Sequence, residues 1–115
     1  MKNQLNTLLA SLKSNSISFS EVIAHIEKDY QHQPTAFKNG NVYNESTQNQ
    51  GSAKVFAFAK INNLELDDTL NLFAEHYQAV LATPNGTDHQ NIRQFMIHGW
   101  EGIVFEGDAL IEREL

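Results

Sequence analysis

The chain has 115 residues, five histidines and no cysteine, and its 14 acids against 8 bases give a formal charge of -6. One core fits that length, no disulfide is available, and the bases are too scattered to neutralise phosphates in a row, which argues against nucleic acid as a partner. No apolar run approaches the roughly 20 residues a membrane helix needs, so a soluble cytoplasmic domain spanning 1–115 is expected, with no membrane contact.

The first segment repeats Leu5, Leu8, Leu9 and Leu12 at i, i+3, i+4, i+7, the period of an amphipathic helix over 1–14. Ser18 followed by Glu21 reads as a capping box. Phe19, Val22, Ile23, Ile26 and Tyr30 then form a second helical stripe, which Pro34 stops by about Gln33. The segment from Pro34 to Gly51, rich in asparagine and glycine, reads as an ordered loop with a short strand at Val42 to Asn44.

Ser52 to Ile61 is apolar nearly all round, and its three alanines, with Gly51-Ser52 as N-cap, favour a buried central helix over a strand. Asn62 to Glu65 makes a turn, and Leu66, Leu70, Phe73, Tyr77 and Leu81 mark one amphipathic helix ending before Pro84. After the Pro84-Asn85-Gly86 turn, Thr87 caps a helix with Gln90 closing the box. Ile92, Phe95 and Met96 form its core face, and Gly99 ends it. Gly102 to Gly107 reads as a strand able to pair with Val42 to Asn44, and the acids Glu101, Glu106, Asp108, Glu112 and Glu114 as a solvated tail. The fold expected is mainly α (α+β): a single compact domain of about five helices with a short two-stranded β element.

Familiar reaction signatures are missing. There is no nucleophile elbow, no P-loop and no dinucleotide fingerprint, so catalytic residues are unknown and no cofactor is expected. His25 and Asp29 share a helix face at i, i+4, but nothing completes a zinc set, and no metal is expected. His32 and His76 have no partner that the sequence names, and His98 suits a helix C-terminus through the dipole.

The constellation of interest is Asp88, His89 and Arg93 at a helix start, where backbone N–H groups attract anions, together with Asn39, Asn49 and Ser52 of the preceding polar segment. The plainer account has Thr87 and Asp88 capping the helix while Arg93 pairs with an acid of the C-terminal segment. Tyr43 and Trp100 are candidate anchors for an unidentified protein partner, a core role being the plainer account of Trp100.

The runs Pro34-Thr35-Ala36-Phe37-x-Asn39-Gly40, Asn49-Gln50-Gly51-Ser52-Ala53-Lys54-Val55-Phe56, Thr87-Asp88-His89-Gln90-Asn91-Ile92-Arg93 and His98-Gly99-Trp100-Glu101-Gly102 occur in this order across nearly the whole chain. As a set they resemble the HopJ family, named after a bacterial type III secretion effector. The resemblance implies a lineage and a route of secretion; it supplies no reaction. Two functions remain in play: first a non-catalytic protein-interaction domain, effector-like or adaptor, which calls for an exposed apolar patch around Tyr43, Trp100 or Phe105; and as the alternative a small-molecule-binding or catalytic domain with a polar pocket for an anionic ligand, His89 serving as general base and Arg93 as anion clamp. The pocket reading requires Asn49 and His89 to be neighbours in space.

Overall fold

The computed structural model describes residues 2–113; Met1, expected to open the first helix, and Glu114 of the acidic tail lie outside the described residues. Helix α1 (Lys2–Lys13) buries Leu8 and Leu12, with Leu5 and Leu9 packed beside them, as the heptad-like spacing requires. The next helix, α2 (Phe19–Asp29), starts with both bonds of the capping box: Ser18 Oγ accepts from Glu21 N at 3.3 Å and Glu21 Oε1 accepts from Ser18 N at 3.2 Å. Val22 and Ile26 are fully buried.

This helix ends four residues before Gln33. Tyr30 leaves it as the first residue of strand β1 (Tyr30–His32), which pairs antiparallel with β5 (Leu110–Glu112). The expected solvated tail is thus partly a strand, with Ala109 and Leu110 buried. His32 Nδ1 donates to Ala109 O at 3.0 Å, while its Nε2 is buried without a partner among the described residues. Burial pushes the imidazole below its ordinary pKa, aided by Lys54 and opposed by the Ala109 bond and Glu27.

A base that stays neutral when folded but protonates when unfolded binds fewer protons in the native state. Its contribution to stability is therefore present above the unfolded value and is lost as pH falls through the folded one. We expect the melting temperature to fall as pH drops below about 6.5, and this slope to flatten in His32→Asn. Parallel melting curves of the two proteins check it; equal slopes below that pH would refute the assignment.

Strands β2 (Phe37–Asn39) and β3 (Val42–Asn44) form a hairpin. Strand β4 (Ile103–Phe105) pairs antiparallel with β2, giving the order β3-β2-β4. The expected partner of β4 was Val42 to Asn44; the strand over 37–39, which its short span hid, lies between them. Gly40 N donates to Gly102 O at 2.9 Å, so two glycines bring the hairpin turn and the start of β4 into backbone contact.

Helix α3 (Gln50–Ile61) is the buried centre, with Ala53, Val55, Phe56, Ala57, Phe58 and Ala59 inside. Phe56 lies within 6.4 Å, centroid to centroid, of Phe37, Phe73, Phe95 and Trp100. The single helix expected over 66–81 is two, α4 (Leu66–Asn71) and α5 (Glu75–Ala82). Between them the chain tightens, Phe73 N and Ala74 N bonding to the carbonyls of Leu70 and Asn71, and Ala74 turns to φ 51. Helix α6 (Gln90–His98) ends on Gly99 at φ 63, as expected, and a short 3-10 turn (Gly99–Gly102) leads to β4. Its core face is Ile92 and Phe95; Met96, expected inside, is 41% exposed, and Ile97 beside it is exposed too.

Candidate functional site

Two helices begin with a residue in the left-handed conformation. Asn49 precedes α3 and His89 precedes α6, both at φ 51, and neither side chain caps the helix it starts. The expected caps were Ser52 and Thr87, residues that favour capping from an extended backbone. The chain instead uses asparagine and histidine, which tolerate left-handed φ better than most side chains. Non-glycine residues held there carry strain, a condition found most often at functional sites.

A buried amide network holds the two helix starts together. Asn44 Nδ2 donates to Asn91 Oδ1 at 3.1 Å and Asn91 Nδ2 returns a bond to Asn44 Oδ1 at 3.0 Å. That same Asn44 oxygen accepts from Asn49 Nδ2 at 2.8 Å, which ties in the start of α3. Asn39, fully buried, donates through Nδ2 to the backbone oxygen and Oδ1 of Asn91 at 2.8 and 3.0 Å, and its own Oδ1 has no partner among the described residues. Gln50 supports the loop in a similar way, accepting from Thr35 N at 3.1 Å and donating to Thr35 O at 3.1 Å.

Between these helix starts lies a cavity of about 440 Å³, whose polar lining residues are Asn49, Gly51, Ser52, Gln90, Asn91 and the two imidazoles of His76 and His89. Phe19, Phe73, Val42 and Ile92 are its apolar lining residues. The His76 ring lies 5.1 Å from that of His89 and 4.8 Å from Phe19. The corner is fastened by Glu75, whose carboxylate accepts from Phe19 N at 2.6 Å. Burial alone would raise the Glu75 pKa; backbone N–H groups of Glu75 and Phe19, with His76 nearby, outweigh it and hold the carboxyl below its usual range.

Of the residues singled out from sequence, Asn49, Ser52 and His89 line this cavity, so the polar segment before α3 and the start of α6 are neighbours. Asn39 stands behind the wall as a support of Asn91. Asp88 and Arg93 have another occupation. Arg93 donates to Thr83 O, Thr83 Oγ1, Pro84 O and Asp88 O, and pairs with Asp88 Oδ1 at 2.7 Å. Its side chain, 10% exposed, is thus the core of the turn over 83–88. It neither clamps an anion in the cavity nor pairs with an acid of the C-terminal segment, because the turn's own carbonyls and Asp88 surround it. The same bond from Arg93 holds the Asp88 carboxyl below its ordinary pKa, outweighing desolvation, which raises it.

Trp100 plugs the core, donating Nε1–H to Leu64 O at 3.2 Å and packing edge-on against Phe95 at 5.1 Å. Tyr43 is 55% exposed, with its hydroxyl on Glu106 Oε2 at 2.8 Å. Among the described residues no group of three or more metal-ligating side chains gathers, at His25 and Asp29 or elsewhere. His76, Phe19 and Phe73 went unrecognised as wall residues, since what unites them is the break at Ala74, which turns α5 back over the start of α2.

The fold is shared with a solved protein. The chain superposes on VPA0580, a protein of unknown function known from a crystal structure, with a TM-score of 0.87 and 45% sequence identity, over 95% of this chain and 93% of that one. A search of curated proteins gives no match. No helix among the described residues is long and apolar enough to cross a membrane. The family model described as HopJ type III effector protein matches residues 5–110, and the chain belongs to that family.

Proposed function

We propose that this protein is a small-molecule-binding domain, and that the cavity between the starts of α3 and α6 is its site for an anionic ligand. The observation that carries the reading is the meeting of Asn49, Ser52, His76 and His89 in one wall. They come from separate stretches of the chain: the starts of α3 and α6 are tied by a buried amide network that simple packing would not need, and His76 is carried in by the Glu75 bond to Phe19 N. Buried polar groups confer less stability than apolar ones of similar shape, so a network of this kind is retained where geometry matters. The cavity volume lies within the range of ordinary small-molecule sites.

The test is a thermal-shift screen of nucleotides, sugar phosphates and organic acids on the wild type beside His89→Asn, a change that keeps the left-handed backbone accessible. A ligand that binds only the native state raises the midpoint by mass action. We expect an anionic compound to raise the melting temperature by roughly 10 °C at a hundredfold excess over its Kd, with His89→Asn losing most of the shift. A screen without any shift, or one in which His89→Asn responds like the wild type, refutes the assignment.

One observation favours an effector-like interaction domain as a second reading. Register places Tyr43, Lys38 and Val104 in a row across β3-β2-β4, and all three are exposed. The other expected anchors do not join them, since Trp100 and Phe105 pack against the core. Family membership also supports delivery through a type III secretion system, which a reporter fusion in secretion-competent and secretion-deficient cells would test.

A further inference from the structure

We infer that the ligand's acidic group is held between the imidazoles of His76 and His89, so that the ligand is a carboxylate or phosphate borne on a flat apolar body. The inference rests on the cavity reading and adds which residues meet the charge and what the rest of the ligand resembles. Arg93, the obvious cation of the segment, is consumed by its own turn. That leaves the two histidines as the cationisable groups of the cavity wall, which has no lysine or arginine.

Their setting suits an anion. The rings lie 5.1 Å apart, inclined by 34°, one from the start of α5 and the other from the residue that opens α6. Neither makes a hydrogen bond to another described residue; His89 Nε2 stands 4.0 Å from Asp88 Oδ2, beyond hydrogen-bond reach. An anion set at the ring edges can accept an N–H bond from each imidazole, and rings only 5.1 Å apart lie within reach of one acidic group.

The charged groups around them do not do this work from within the protein. Asp88, on the far side of His89, is already paired with Arg93, and Glu75, beside His76, is bonded to Phe19 N. The α2, α3 and β3 contributions to the wall, Phe19, Asn49, Gly51, Ser52 and Val42, carry no charge. Helices α3 and α6 add the N–H groups of two starts that no N-cap side chain covers. Phe19, Phe73, Val42 and Ile92 of the same lining can solvate only an apolar body, and the stacked pair Phe19 and Phe73, with Phe19 4.8 Å from the His76 ring, suits a flat one.

Titration calorimetry at pH 7, with amide chemical shifts of Gly51, Ser52 and Gln90 to place the site, provides the test. The probes are phenyl phosphate, benzoate, inorganic phosphate and benzyl alcohol, on wild type, His76→Gln and His89→Asn. Expected are binding of at least one aromatic anion, weaker binding of inorganic phosphate, and a loss of tenfold or more in either variant. Whether phenyl phosphate or benzoate is the tighter decides between phosphate and carboxylate. Benzyl alcohol matching the anions, or an affinity unchanged in His76→Gln, would overturn the histidine clamp and leave the cavity standing. Inorganic phosphate equalling phenyl phosphate would remove the apolar body. If no probe moves the three amides, the clamp and the cavity reading fall together.

Discussion

Asn91→Ala should cost about 2–4 kcal/mol of stability, the sum of three buried side-chain bonds lost and the donors they leave unpaired. Asn91 is 6% exposed and its amide is the hub of the buried network. Its Oδ1 accepts from both Asn39 and Asn44, and its Nδ2 donates to Asn44. Truncation leaves the Asn39 amide with only the Asn91 backbone oxygen, and the Asn44 amide with a weak 3.4 Å approach to Phe37 O. Asn91→Asp is expected to fare no better, because it keeps the accepting oxygen but turns an oxygen toward Asn44 Oδ1 and buries a charge. Asn49→Ala is the contrast: its side chain is exposed and makes one network bond, so about 1 kcal/mol is expected. Urea denaturation of the three variants checks the ranking, and a loss in Asn91→Ala no larger than in Asn49→Ala would show that the network does not hold the helix starts.

How legible this arrangement is from the residues depends on distance along the chain. Periodicity and local capping identify α1, α2, α3 and α6, since leucine spacing, the Ser18 and Glu21 pair and the apolar run of 53–59 are signals within a turn or two. The break at Ala74 leaves no such signal: Leu66 and Leu70 on one side and Phe73 and Tyr77 on the other keep a helical spacing across it. Strands β1 and β5 have three residues each, too few for a period, and the Tyr30 stripe position serves equally as the first residue of a strand. The partner of β4 is a long-range choice, fixed when Phe37 stacks on Phe105 at 5.2 Å.

The candidate site follows the same division. Asn49, Ser52 and His89 were readable because turn-prone residues at a helix start are a local pattern, and the structure brings all three into one wall. The identity of the second cationisable group was not. Arg93 and His89 are i, i+4 neighbours, which suggests a shared face, but a guanidinium with Thr83 O at 2.8 Å and Asp88 Oδ1 at 2.7 Å has found its acceptors in the preceding turn. His76 reaches the site from another helix altogether, and only the tertiary turn of α5 over α2 puts it there.

Gly40→Ala is expected to lower stability by about 3 kcal/mol, from two sources that can be separated. Gly40 sits at φ +58 in the turn between β2 and β3, where an L side chain costs roughly 1–2 kcal/mol. The added methyl would also collide with His98 Cδ2 and Gln94 Oε1, and Gln94 Oε1 holds Asn41 N at 3.0 Å, so yielding breaks a turn bond. His98 is exposed and can be removed, which makes a double-mutant cycle informative. In a His98→Ala background the loss should shrink, leaving the conformational part of about 1–2 kcal/mol and the contact with Gln94 Oε1. Gly51→Ala supplies the opposite sign. Gly51 lies in the first turn of α3 at negative φ, and its new methyl would meet Phe19 ring carbons at 3.5 Å, ordinary contact, so helix propensity should make that variant equal to or slightly more stable than the wild type. Because the Gly51 methyl projects toward the cavity wall, the same variant should weaken binding while leaving the fold intact, whereas Gly40→Ala should weaken the fold without touching the ligand's contacts. Equal stabilities for the two glycine variants would mean that the turn at Gly40 adapts, and that the contact between hairpin and α6 is softer than its geometry implies.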